Sequence, residues 1–189
     1  MRTTFLDKKD NKNSILKKTI LRLCIQNGEY SIAALSEQIN TSVPTVTKLI
    51  GGLMDEGFMI ELGKSGTSGG RRPSIYGLNP EAGYFIGLDI RHTHASVAVT
   101  DFKGGLICFE DNIPFILEID EACIHTISKN IRDFFVRHDL EWNRVLGMGI
   151  SVAGRVNPKT GYSNLYSFDP ERPINKILSE DLDIPVVIE

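Results

Sequence analysis

Eleven residues, Gly63-Lys64-Ser65-Gly66-Thr67-Ser68-Gly69-Gly70-Arg71-Arg72-Pro73, separate two short apolar runs, Phe58 to Leu62 and Ser74 to Leu78. Apolar runs of this length, bounded by glycine and proline, read as strands. The segment therefore folds as a hairpin with a long loop. Its glycines let the backbone approach a phosphate or a groove floor. Its adjacent arginines carry the charge that a narrow minor groove attracts. The competing reading is a flexible, solvated loop with incidental charge.

What precedes the hairpin favours the first reading. After a polar leader over residues 1–13, Leu16, Ile20, Leu23 and Cys24 recur at helical spacing, and Asn27-Gly28 supplies a stop. Ser31 is placed to cap a second helix with the apolar stripe Ile32, Leu35 and Ile39. Ser42 is placed to cap a third, with Pro44 in the first turn, where amide hydrogens lack partners anyway. Val46, Leu49, Ile50 and Leu53 make its inner face. Two helices joined by a turn of about four residues match a helix-turn-helix, and with the hairpin as its wing the winged helix-turn-helix domain covers residues 14–79. The early outward positions of a recognition helix reach base edges and phosphates in the major groove. The candidate DNA-binding residues are thus Ser42, Pro44, Thr45, Thr47 and Lys48, with Gly69, Gly70, Arg71 and Arg72 of the loop. Val43 also points outward. Gly51-Gly52 is discordant, because each glycine inside a helix costs about 1 kcal/mol relative to alanine; close packing or a bent helix end would account for it.

Charge divides along the same line. Residues 1–80 carry eleven Lys/Arg against seven Asp/Glu, a balance of +4, and residues 81–189 carry ten against seventeen, a balance of −7. A basic front on an acidic body suits a segment that approaches a polyanion. The composition, 41% hydrophobic and 24% charged, is that of a soluble globular protein. No apolar run follows the N-terminal charges and no stretch approaches a membrane span, so a soluble, cytoplasmic protein without a signal peptide is expected. Cys24, Cys108 and Cys123 are widely spaced in apolar surroundings, which fits reduced thiols. His92, His94, His125 and His138 show no ligand spacing and read as surface or partly buried residues. No metal and no cofactor is expected.

Asn79-Pro80 begins a second domain over residues 80–189. Tyr84 to Ile90 reads as a buried strand, Ala95, Val97 and Val99 as an alternating one, and Leu106 to Glu110 as a third after the Asp101-to-Gly105 turn. A helix follows from Ile119 to Val136, then a strand from Arg144 to Ser151, a helix from Ile174 to Leu182 and a strand from Ile184 to Ile188. An antiparallel meander continued by parallel crossovers is the arrangement of a ribonuclease H-like lobe, half of the actin and sugar kinase architecture. The fold class is α+β with two domains, a winged helix-turn-helix and a truncated first lobe.

The junction Ser68-Gly69-Gly70-Arg71-Arg72-Pro73, Tyr76 to Pro80, and Gly83 to Ile90 resembles that of ROK (repressor, open reading frame, kinase) family regulators. Gly147 to Val156 and Ile184 to Glu189 resemble the family's following segments. The resemblance covers residues 14–189.

It implies a sequence-specific transcriptional regulator of sugar metabolism genes, more a repressor than an enzyme. Family kinases hold ATP phosphates with an Asp-x-Gly-x-Thr turn; here Asp89-Ile90-Arg91-His92-Thr93-His94 places Arg91 and His92 at the glycine positions, where bulk blocks the phosphate. The kinases' catalytic aspartate follows the strand that ends at Glu189, so no catalytic residue is named, and a chain stopping on an edge strand is expected to be a fragment. The resemblance places Gly154 in a sugar cleft, although Ala153 replaces the usual proline. Asn164 and Asp169 are polar candidates for sugar hydroxyls, or ordinary turn residues. The implied partners are double-stranded operator DNA, a sugar or sugar-derivative effector and further copies of the chain in a homo-oligomer. The alternatives are a ROK sugar kinase with an N-terminal extension and a winged helix used only for protein contacts.

Overall fold

The computed structural model describes residues 11–64, 72–91, 93–114, 121–157, 160–163 and 172–189. The chain divides into two compact units, one ending at Ala82 and one spanning Gly83–Glu189.

In the first unit, α1 (Lys12–Asn27) takes in the last two residues of the leader expected over 1–13. The correction has a local cause. The Asn11 side chain accepts from Ser14 N while Ser14 Oγ accepts from Asn11 N, both at 2.9 Å, a reciprocal cap that fixes the first turn. The helix stops at Gly28, whose φ of +87° only glycine adopts without strain and whose amide donates to Cys24 O. A two-residue strand, β1 (Tyr30–Ser31), leads into α2 (Ile32–Gln38), capped by Ser31 through Ala34 N. Next come α3 (Val43–Asp55), β2 (Met59–Lys64) and β3 (Ser74–Leu78). The sheet order is β1-β3-β2, antiparallel throughout, with Met59 opposite Leu78 and a bulge between Glu61 and Gly63. Ile20, Leu21 and Cys24 of α1, Leu35 of α2, and Val46, Leu49, Ile50 and Leu53 of α3 are buried, with Phe58, Met59 and Leu78. Asn79 closes the hairpin, its amide donating to Phe58 O and its side chain to Gly57 O.

The second unit is built on β4 (Tyr84–Ile90), β5 (His94–Asp101) and β6 (Leu106–Pro114). After these come α4 (Glu121–Arg137), β7 (Val145–Val152), the small hairpin β8 (Val156–Asn157) and β9 (Tyr162–Ser163), α5 (Ile174–Leu182) and β10 (Val186–Ile188). The five-stranded sheet runs β10-β7-β4-β5-β6; β4, β5 and β6 are antiparallel, whereas β4, β7 and β10 are parallel. Period-two alternation sends Ile86, Leu88, Ile90, Met148 and Ile150 to one face. There they pack with Ile124, Ile127, Ile131 and Phe134 of α4 and Ile177 and Leu178 of α5. Asp101 holds the β5–β6 turn, its Oδ1 accepting from the amides of Lys103 and Gly105 at 2.8 Å. Strand β6 runs four residues beyond the expected Glu110, past an irregularity in register. Among the described residues, no helix is long and apolar enough to cross a membrane.

Candidate nucleic-acid interface

Helix α3 is strongly two-faced. Its buried residues Val46, Leu49, Ile50 and Leu53 fall within one arc, and at 100° per residue the opposite arc is centred on Pro44, Lys48, Gly51 and Asp55. Pro44, Thr47 and Lys48 are exposed, Thr45 is half-buried, and Val43 stands 50% exposed although apolar. The hydroxyls of this turn are already engaged. Ser42 Oγ and Thr45 Oγ1 share a hydrogen bond at 2.9 Å, so Ser42 caps no amide, and Thr47 Oγ1 donates to Val43 O at 2.9 Å. Lys48 therefore supplies the positive charge of this face.

The hairpin adds a second exposed basic element. Glu61 to Lys64 on β2 are exposed, as are Arg72 and Pro73 on the approach to β3. Gly69, Gly70 and Arg71 lie outside the described residues.

In the second unit the turn between β4 and β5 is tight, with Arg91 N donating to His94 O at 2.9 Å. Arg91 Nε lies 2.9 Å from Asp89 Oδ2, so the guanidinium neutralises the carboxylate at the strand end. His92 lies outside the described residues. Nearby, Ser96 Oγ donates to Asp111, which together with the Asn112 amide holds that carboxyl below its usual range. The outer sheet face carries a shallow depression of about 500 Å³ whose floor includes Gly87, Asp89, Ser96, Gly149 and Ser151. Gly154 follows β7 and is exposed, with a φ of +110° that explains a glycine there. Asn164 and Asp169 lie outside the described residues. Among the described residues, no group of three or more His, Cys, Asp or Glu side chains is placed to hold a metal ion.

No family model matches the chain. Curated relatives do. A xylose repressor of Bacillus spizizenii is 30% identical over 183 residues, which are 92% of this chain and 45% of that protein. The DNA-binding transcriptional repressor Mlc of Escherichia coli is 24% identical over 177 residues, 90% of this chain and 43% of the relative. The chain thus spans a little under half the length of the curated relatives it matches. The crystal structure of a ROK family transcriptional regulator, a homologue of Mlc, superposes on 95% of this chain and 46% of its own with a TM-score of 0.73 and 20% identity. Over nearly its whole length this chain is thus similar to sugar-gene repressors and, in fold, to a ROK family regulator.

The structure brings Ser42, Pro44, Thr45, Thr47 and Lys48 onto one helix start. It places Arg72 at the base of the hairpin loop, and Asp89 and Arg91 at the end of a central strand of the other unit. Gly51 was missing from the candidate residues read in the sequence. It was legible as an outward position by helical angle, but only the structure shows that nothing inside the fold requires it: a Cβ there would meet no atom within 4 Å.

Proposed function

We propose that this chain is the winged helix-turn-helix and first ribonuclease H-like lobe of a sugar-responsive ROK transcriptional repressor. The observation that carries this reading is the start of α3, where Pro44, Thr47 and Lys48 are exposed on a helix whose other face is buried. A helix presented in this way enters the major groove with its early residues, while Arg71 and Arg72 of the loop reach the adjacent minor groove. The names of the relatives, xylose repressor and DNA-binding transcriptional repressor, support a DNA-binding role and a sugar effector. An effector that favours one conformation shifts operator affinity, and operator DNA shifts effector affinity by the same factor. Gly154, Asn164 and Asp169 are proposed on the sugar side. Symmetric oligomers read pseudo-palindromic sites, so a homo-oligomer is part of the proposal.

The same reading makes the chain a non-enzyme. Arg91 fills a position where phosphate transfer needs bare backbone, and its ion pair occupies Asp89.

Selection of genomic DNA fragments by the purified protein, with the salt dependence of binding, tests the proposal. A pseudo-palindromic site is expected to be enriched. Replacing Arg71 and Arg72 by alanine is expected to weaken binding and to flatten the slope of log K against log salt by about 2, since each lost phosphate contact removes close to one counterion. An unchanged slope removes the wing from the interface. Failure to bind any duplex at moderate salt makes the module a protein contact.

A further inference from the structure

We infer that α3 recognises thymine through its 5-methyl group, using an apolar strip made of Val43, the methyl of Thr47 and the bare backbone at Gly51. The inference rests on the DNA-binding reading above and specifies what that surface reads.

Three observations converge on the same face. Val43 is an apolar side chain left 50% exposed at the first position of the helix, one turn before Thr47. Thr47 is exposed, and its hydroxyl proton is committed to Val43 O at 2.9 Å. The hydroxyl can still accept a hydrogen bond but has no proton for a base acceptor. The methyl is then the part of Thr47 left to make a distinctive contact. Gly51 lies one further turn along. A glycine inside a helix is unfavourable, and at Gly52 the fold gives a reason, because a Cβ would come 3.0 Å from Lys17 Nζ. At Gly51 the fold gives none. An unfavourable residue in the middle of the outward arc is explained by a surface from outside that comes close to the backbone.

Duplex DNA fits this geometry. The major groove is about 12 Å wide and a helix with its side chains about 10–12 Å across, so one side chain decides how deeply the helix sits. Thymine is the base that presents an apolar group there, and threonine methyls and small apolar side chains are its partners. Lys48, beside Thr47 on the same face, is placed for a phosphate or a guanine acceptor.

The test uses duplexes enriched by the purified protein from a random-sequence library. Each is resynthesised with deoxyuridine in place of thymidine, one position at a time, which removes only the methyl. At one or two positions in each half-site, affinity is expected to fall about fourfold, the effect of one unburied methyl. Thr47→Val keeps the methyl and should keep this pattern, whereas Thr47→Ser should erase it at one position. Gly51→Ala should raise the melting temperature and weaken binding about tenfold, as overpacking a tight interface does.

Equal affinity for thymine and uracil at every position overturns the inference while leaving DNA binding intact. Retention of the pattern by Thr47→Ser with loss in Thr47→Val also overturns it, because the hydroxyl would then read the base. Gly51→Ala with undiminished affinity excludes Gly51 from the strip. If no duplex is enriched at all, the DNA-binding reading fails and takes this inference with it.

Discussion

Lys17 on α1 passes over Gly52 on α3 and places Nζ 2.8 Å from Glu56 Oε1 at the far end of that helix. The two glycines that look alike in sequence therefore do different things. Alanine at either position gains about 1 kcal/mol of helix propensity. At position 52 the new methyl sits 3.0 Å from Lys17 Nζ and 3.3 Å from Cε, so the lysine must shift and strain its ion pair. Glu56 is 38% exposed on its side chain, and such pairs contribute only about 0–1 kcal/mol. Gly52→Ala is expected to change stability by less than about 0.5 kcal/mol, against about 1 kcal/mol gained in Gly51→Ala. Urea denaturation of both variants checks this, and equal gains would mean that Lys17 yields without cost.

This pair also shows where sequence reading stops. Helical period located α3 and its buried face, because Val46, Leu49, Ile50 and Leu53 repeat within one arc. It could not separate Gly51 from Gly52, since that depends on which side chain of another helix lies above each. Strand β1 escaped notice because two residues carry no period, and Tyr30 and Ser31 are a strand only by pairing with Tyr76 and Ile75. The extension of β6 to Pro114 was equally hidden. Asp111 and Asn112 break the apolar alternation, Asn112 takes a φ of +54°, and the pairing with β5 survives only through a shift in register. The bond that the Thr47 hydroxyl donates to Val43 O was hidden as well, because it depends on the side-chain rotamer. Gly69, Gly70, Arg71, Asn164 and Asp169 lie outside the described residues, so their roles rest on sequence.

Glu110 on β6 ties that edge strand to the end of α4, accepting from Arg137 Nη2 at 2.9 Å and meeting His138 Nε2 at 2.8 Å. The Arg137 hydrogen bond is the main reason its carboxyl is held below the ordinary 4.5, with His138 adding less and partial desolvation opposing both. A carboxylate with a depressed pKa in the folded state contributes stability above its unfolded pKa. That contribution is lost as pH falls through the folded value. Glu110→Gln is thus expected to be less stable than the wild type at pH about 7, with the difference shrinking as pH falls below the ordinary 4.5 and through the lower folded value. Paired denaturation curves at neutral and acidic pH check it. A gap that persists at low pH would place the role of Glu110 in packing instead of charge.

Asp89 and Arg91 give the sharpest prediction for the second unit. An Asp that must help hold a metal–phosphate group needs its carboxylate available, but here Arg91 Nε lies 2.9 Å from Oδ2 and brings its own positive charge. A second cation at Asp89 would have to displace the guanidinium or share one carboxylate with it. The pair is largely exposed, so it adds little to the fold, and Arg91→Ala is expected to change stability by less than about 1 kcal/mol. Nucleotide binding is the informative measurement. A ligand at about 100 times its Kd stabilises a protein by about 2.7 kcal/mol, an increase that a thermal melt resolves easily. Melts of the wild type with and without millimolar magnesium and ATP are expected to coincide. A rise in melting temperature that Asp89→Asn abolishes would show that the turn still holds a metal–phosphate group, and the sugar kinase reading would then displace the repressor.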